Sequence, residues 1–152
     1  MKPLRTQFLM TLRIEVTQSH MVGETPLGFR RIDVFGGGGF EGPRLKGRIL
    51  AGGSDMLLRR QDGAMAPDVR LTLETDDKAL IFVAYRGYRH GPPEVMEAIA
   101  RGEMVPAERY YLRNAPFFET AAAKYDWLNR VVSVGVGHRE PTAAIYDIHE
   151  VL

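Results

Sequence analysis

No cysteine occurs among the 152 residues. Disulfides, thiolate zinc sites and cysteine nucleophiles are therefore excluded, and a reducing compartment, the cytoplasm, is expected. No run of one charge sign occurs either. Twenty Lys and Arg stand against 19 Asp and Glu, a net charge of +1. The pairs Arg30-Arg31 and Arg59-Arg60 are isolated, so the electrostatic footprint of a nucleic-acid or anionic-membrane binder is missing. The opening stretch MKPLRTQFLMTLRIEV has charges inside its apolar residues, which suits neither a secretion signal nor a membrane span. The four histidines, His20, His90, His138 and His149, have no metal-ligand spacing, and no metal or cofactor is expected. No nucleophile-elbow pattern surrounds Ser19, Ser54 or Ser133.

What the chain does have is glycine, 16 of them, and an ordinary 45% of hydrophobic residues. That is enough for one domain, residues 1–152. The stretch VFGGGGFEG (34–42) fits a dinucleotide fingerprint at Gly37, Gly39 and Gly42. Phosphate binding would need Gly42 to open a helix. Pro43 and RLKGRILAGG follow instead and read as a strand. The glycines are better explained as bends and bulges in a sheet.

Period-2 alternation dominates the rest. Phe8, Met10, Leu12, Ile14 and Val16 share one face, as do Val69, Leu71 and Leu73. Residues 18–28 read as a loop, Asp62-Gly63 and 76–78 as turns, and 79–88 as the most apolar strand. Prolines followed by Val95, Met96 and Ile99 mark one short helix within 91–103. Short connections between so many strands predict an all-β fold. The expected form is an antiparallel closed β-barrel of about eight to ten strands with one short helix, because closure removes exposed edges. An open sandwich is the alternative.

Such a barrel holds one small ligand. Asp55 and Glu119 are the acid/base candidates: Glu119 sits between Phe118 and Thr120, where desolvation would raise a carboxyl pKa. Taken alone, Asp55 also suits a turn and Glu119 a salt bridge. Asp68 starts a strand on its polar side. KYDWLNR (124–130) is the densest cluster. If it is extended, Tyr125, Trp127 and Asn129 share a face that would suit an aromatic ligand. The competing reading, favoured by residue type, is a plug closing one barrel end.

The segments GFRRIDVFGGGGFEGPRLKGRILAGGSD, RRQDG, LTLETDDKALIFVAYRGYR and FFETAAAKYDWLNRVVSVGVG, in this order, resemble the domain-of-unknown-function 3237 family over roughly residues 8–152. The resemblance implies a barrel similar to allene oxide cyclase, calycin-like in form. It also implies an interior that handles small hydrophobic molecules, with some fungal relatives closing rings on phenolic substrates. Arg30, Asp55, Asp62, Asp68, Glu119, Thr120, Tyr125, Trp127, Leu128, Asn129 and Arg130 match motif positions. Met56 departs from the family's tryptophan and Lys78 from its glycine.

The resulting expectation is a barrel that binds a small hydrophobic or phenolic molecule and assists a cyclisation or isomerisation by proton transfer. Asp55, Glu119 and Arg30 would be catalytic, and Asp68, Tyr125, Trp127 and Asn129 would bind the ligand. A carrier without chemistry and a solid structural barrel are the alternatives. The strand ALIFVAY is apolar on both faces, so a homodimer is expected, with no nucleic acid or membrane as partner.

Overall fold

The computed structural model describes residues 1–152. Ten antiparallel strands make up most of the chain. They are β1 (Thr6–Thr25), β2 (Gly28–Glu41), β3 (Lys46–Ile49), β4 (Ser54–Arg59), β5 (Met65–Ala66), β6 (Asp68–Thr75), β7 (Leu80–His90), β8 (Tyr111–Glu119), β9 (Ser133–Arg139) and β10 (Ala143–Val151). One α-helix, α1 (Pro93–Ala100), follows β7. Short 3₁₀ helices cover Ala107–Arg109 and Ala123–Arg130. No helix is long and apolar enough to cross a membrane.

The sheet closes on itself. β1 pairs with β10 on one side and with β2 on the other. β3 and β4 both bridge β2 to β6 at successive heights and so share one stave of the barrel. From β6 the wall continues through β7, β8 and β9 back to β10. The barrel is thus the one the sequence predicted, with its α-helix in the expected segment.

Residues 18–28 depart from expectation. They are not a loop but the tip of the long β1–β2 hairpin, turning at Pro26-Leu27. Thr25 Oγ1 holds the turn, accepting the Leu27 N–H at 3.2 Å and donating to the Gly28 carbonyl at 2.8 Å. Thr17 to Val22 are all exposed there. With no face to bury, they show no alternation to read.

The glycine quartet lies inside β2, where the register slips by one residue between Glu15↔Gly37 and Val16↔Phe35. Gly38 has φ +136°, and a Cβ there would stand 2.0 Å from the Arg13 carbonyl oxygen. Only glycine allows both the backbone angle and the close approach.

Inward side chains fill much of the barrel. Leu12, Ile14, Phe40, Ile49, Leu71, Leu73, Ile81, Val83, Leu112, Phe118 and Ile148 form one continuous core. The Ala123–Arg130 helix closes one end. Its Tyr125 and Leu128 are buried, and Trp127 packs against the core with Arg44 stacked 3.7 Å over its ring. The opposite end is open.

Candidate functional site

The open end is lined by polar groups at positions where strand alternation would put core residues. β2 turns Asp33 and Phe35 inward together. The β2–β4 register sets Asp33 opposite Asp55, the β4–β6 register sets Asp55 opposite Val69, and the β6–β7 register sets Val69 opposite Tyr85. Asp33, Asp55 and Tyr85 therefore lie in one row on the inner wall. Farther along β7, the face that carries Ile81, Val83 and Tyr85 continues to Arg89. Arg139 ends β9, and Tyr146 points in from β10. Gly137, opposite Tyr146, has no side chain because a Cβ would stand 2.5 Å from the Tyr146 ring.

Two spaces lie here, and Asp33, Arg89 and Arg139 line both. A chamber of about 30 Å³ lies among Asp33, Asp55, Tyr85, Arg89, Arg139 and Tyr146. Above it a cleft of about 650 Å³ opens between the barrel rim and α1, which contributes Met96 and Ile99 to its wall. Phe29, Leu57 and Met65 supply further apolar surface.

The two carboxylates differ in their partners. Asp33 is buried and clamped by Arg31, with Nε 2.9 Å from Oδ1 and Nη2 donating to Oδ2 at 3.0 Å. Ser19 Oγ donates to it at 2.6 Å. Asp55 has no ion pair; its Oδ1 accepts the Asp68 backbone N–H at 2.9 Å. Burial raises the Asp55 carboxyl to about 7, helped by the nearby Asp33 charge and opposed by that N–H and by Arg31 and Arg89. Burial also lifts Tyr146 to about 12 and Tyr85 well above the ordinary phenol range, so both remain protonated donors at neutral pH. Their rings meet edge to face at 5.5 Å. Arg89 falls to about 10, by burial first and then by the Arg139 charge.

Of the residues singled out from sequence, Asp55 reaches this site. Glu119 does not: its neighbour Phe118 points inward, so strand parity exposes Glu119 on the outer wall. Arg30 is likewise outward because Arg31 and Asp33 point in, and its Nη1 donates to the Met56 carbonyl at 2.5 Å. Asp68 is outward and ion-paired with Arg70 and, at 3.4 Å, with Arg86; its backbone N–H, not its side chain, serves Asp55. Tyr125, Trp127 and Asn129 lie at the closed end. They are wound in a 3₁₀ helix, so they do not share the extended face that ligand contact required. Tyr125 donates to Asp77 at 2.8 Å. Asn129 caps the end of β8, accepting from the Thr120 N–H at 2.8 Å and donating to the Thr120 carbonyl at 3.0 Å. Met56, on the outer face, does not border the chamber, and Lys78 adopts φ +70° in the β6–β7 turn.

Sequence reading missed Asp33, Tyr85, Arg89, Arg139 and Tyr146. A signal existed in β7. Residues 81, 83, 85 and 89 share one period-2 face, so an arginine on the face of Ile81 and Val83 was detectable as a charge aimed inward.

Known proteins bear on this site through the fold. Residues 4–151 match the family described as protein of unknown function (DUF3237). A UPF0311 protein of Rhodopseudomonas palustris is 32% identical over 149 residues, 98% of this chain and 97% of that one. A crystal structure of a conserved protein of unknown function from the same organism superposes with a TM-score of 0.96 at 32% identity, covering all of both chains. A beta-barrel-like protein from Acinetobacter baumannii gives 0.87 at 38% identity, with 99% and 98% covered. An enzyme from Penicillium herquei gives 0.70 at 21% identity, with 97% and 96% covered, a likeness of fold alone. Matched over nearly its whole length, the chain belongs to the DUF3237 family.

Proposed function

We propose that the open end binds a small apolar or phenolic molecule and that Asp55 moves a proton on it, driving an isomerisation or a ring closure. The observation that carries this reading is a carboxyl without an ion pair, raised to about 7, in the small chamber beneath a cleft whose walls are partly apolar and partly polar. Near neutral pH both its forms are populated, which general acid–base catalysis requires. The carboxylate takes a proton from an O–H or acidic C–H of the ligand, and the resulting acid returns it to another atom of the same molecule. No co-reactant is needed. Tyr85 and Tyr146 are placed to donate to an oxygen gaining negative charge. Asp55 carries the acid/base role without Glu119, and the closed-end aromatics act as a plug.

The test is proton exchange in D₂O. Phenolic and enolisable ketone probes would be screened by NMR for binding and for loss of acidic C–H signals. Exchange with wild type, rising through pH 7 and absent in Asp55→Asn, supports the reading. Binding without exchange makes the barrel a carrier. No binding by any probe removes the ligand reading.

We also propose that a second copy covers the outer face of β7–β9. Phe82 and Phe117 are exposed there with Val132, Val134 and Val136, an unusual apolar patch for a free surface. On β8, Arg113 has no ion pair and Glu119 has neither ion pair nor hydrogen bond; they lie on either side of Ala115 and Phe117. A twofold axis at the level of Pro116 would set Arg113 against Glu119 and Ala115 against Phe117 of the other copy.

A further inference from the structure

We infer that Arg89 and Arg139 form an anion subsite, so that the ligand of the open end carries a carboxylate as well as an apolar body. This rests on the reading of the open end as a ligand site and adds the chemical class.

Both guanidinium-bearing side chains border the inner chamber and the cleft above it. The arginines around them are occupied. Arg31 is held by Asp33, and Arg59 at the rim by Glu24 at 3.2 Å. Arg89 and Arg139 have no carboxylate partner. Arg89 Nε is buried with no acceptor. The Arg139 side chain has neither hydrogen bond nor ion pair; its backbone N–H donates to the Tyr110 hydroxyl at 2.6 Å. Other arginines without an acceptor, Arg5 and Arg109, lie in solvent.

A guanidinium withdrawn from water without an acceptor, as at Arg89, is unfavourable, and the neighbouring Arg139 charge makes it more so. No nearby acid forms an ion pair with either arginine, and Asp62, which also borders the cleft, is paired with Arg60. Asp33 is already held by Arg31 and Ser19. Asp55 lies beyond ion-pair reach of both and is turned to the Asp68 N–H. Glu97 borders the cleft on α1 but is exposed at the rim. The remaining acceptor is a ligand. Guanidinium groups suit a planar carboxylate, which accepts on two oxygens. The apolar remainder of the ligand would fill the cleft against Phe29, Leu57, Met65, Met96 and Ile99.

The probes are 4-hydroxycinnamate, its neutral amide and inorganic phosphate, titrated by calorimetry at constant ionic strength. Wild type should bind the carboxylate about tenfold or more tightly than the amide. Arg89→Gln and Arg139→Gln should each lose that preference while amide binding stays unchanged. Arg86→Gln, on the outer wall, should keep it. In the absence of ligand, Arg89→Gln should melt at or above the wild-type Tm, since it removes an unsatisfied cation. Equal binding of acid and amide overturns the subsite and leaves the open-end ligand site standing. So does a preference that survives both substitutions. Phosphate competing better than the carboxylate overturns the carboxylate assignment. Binding of neither organic probe overturns the subsite and the ligand site together, and an Arg89→Gln Tm below wild type overturns the unsatisfied-cation premise of the subsite.

Discussion

Asp33 and Asp55 stand opposite each other across the β2–β4 ladder, yet only Asp33 is neutralised by an arginine. Of the two facing carboxyls, Asp33 is paired with Arg31, whereas Asp55 has no ion pair and burial makes it reluctant to ionise. That division makes Asp55 the titrating group of the cavity.

Asp55 should make the protein less stable as pH rises. Its folded pKa, about 7, lies above its unfolded value near 3.9. The folded state holds the proton more strongly, so this contribution is full below about pH 4 and lost as pH passes 7. Asp55→Asn removes the penalty while keeping an oxygen for the Asp68 N–H. Urea unfolding at pH 8.5 should find the variant more stable by about 2–4 kcal/mol, with little difference at pH 4. Equal stabilities at pH 8.5 would refute the raised pKa.

The acid limb has the opposite sign and a different origin. Thr75, Lys124 and Tyr125 donate to Asp77 at 2.5, 2.9 and 2.8 Å and hold its carboxyl well below the ordinary range. Its stability contribution is present above pH 4 and lost as pH falls further. Asp77→Asn should flatten the acid limb and leave the alkaline one unaltered, as read by thermal melts from pH 2 to 9.

Leu128 anchors the plug and is fully buried. Leu128→Ala should cost about 2–5 kcal/mol by denaturant titration. The cleft lies at the other end, so ligand affinity of the folded variant should be unaltered. A loss of affinity in a folded variant would place ligand contact at the closed end after all.

Gly38→Ala forces a Cβ into the Arg13 carbonyl at an unfavourable φ. Several kcal/mol of destabilisation, or failure to accumulate folded protein, is expected. A variant as stable as wild type would show that the bulge is not needed for closure.

Phe117→Glu should give monomers in sedimentation at micromolar concentration. Arg113→Glu should weaken the dimer, and adding Glu119→Arg should restore it. Wild type that sediments as a monomer ends the dimer proposal.

The all-β class, the barrel and the helix at 93–100 were legible because a half-buried strand writes its parity into the chain, residue by residue. β6 shows it plainly: Val69, Leu71, Leu73 and Thr75 are buried and their neighbours are not. The same parity, applied strictly, would have sent Glu119 and Arg30 outward and Arg89 inward. Glu119 and Arg30 were instead chosen for residue type and motif position, and Arg89 was passed over. The hairpin tip at 18–28 had no parity to read, since it projects into solvent.

The strands and the glycine bends were written in the chain, because they rest on local backbone geometry and alternation; the closing role of Tyr125, Trp127 and Asn129 was not, since it depends on the 3₁₀ winding of 123–130 and on what that helix packs against. Only the tertiary structure decided which polar groups meet. Asp33, Asp55, Arg89, Arg139 and Tyr146 come from β2, β4, β7, β9 and β10. They become neighbours through the register and closure of the barrel. Burial, ion pairing and the proton affinity of Asp55 depend on those distances across the barrel, and no local pattern in the chain encodes them.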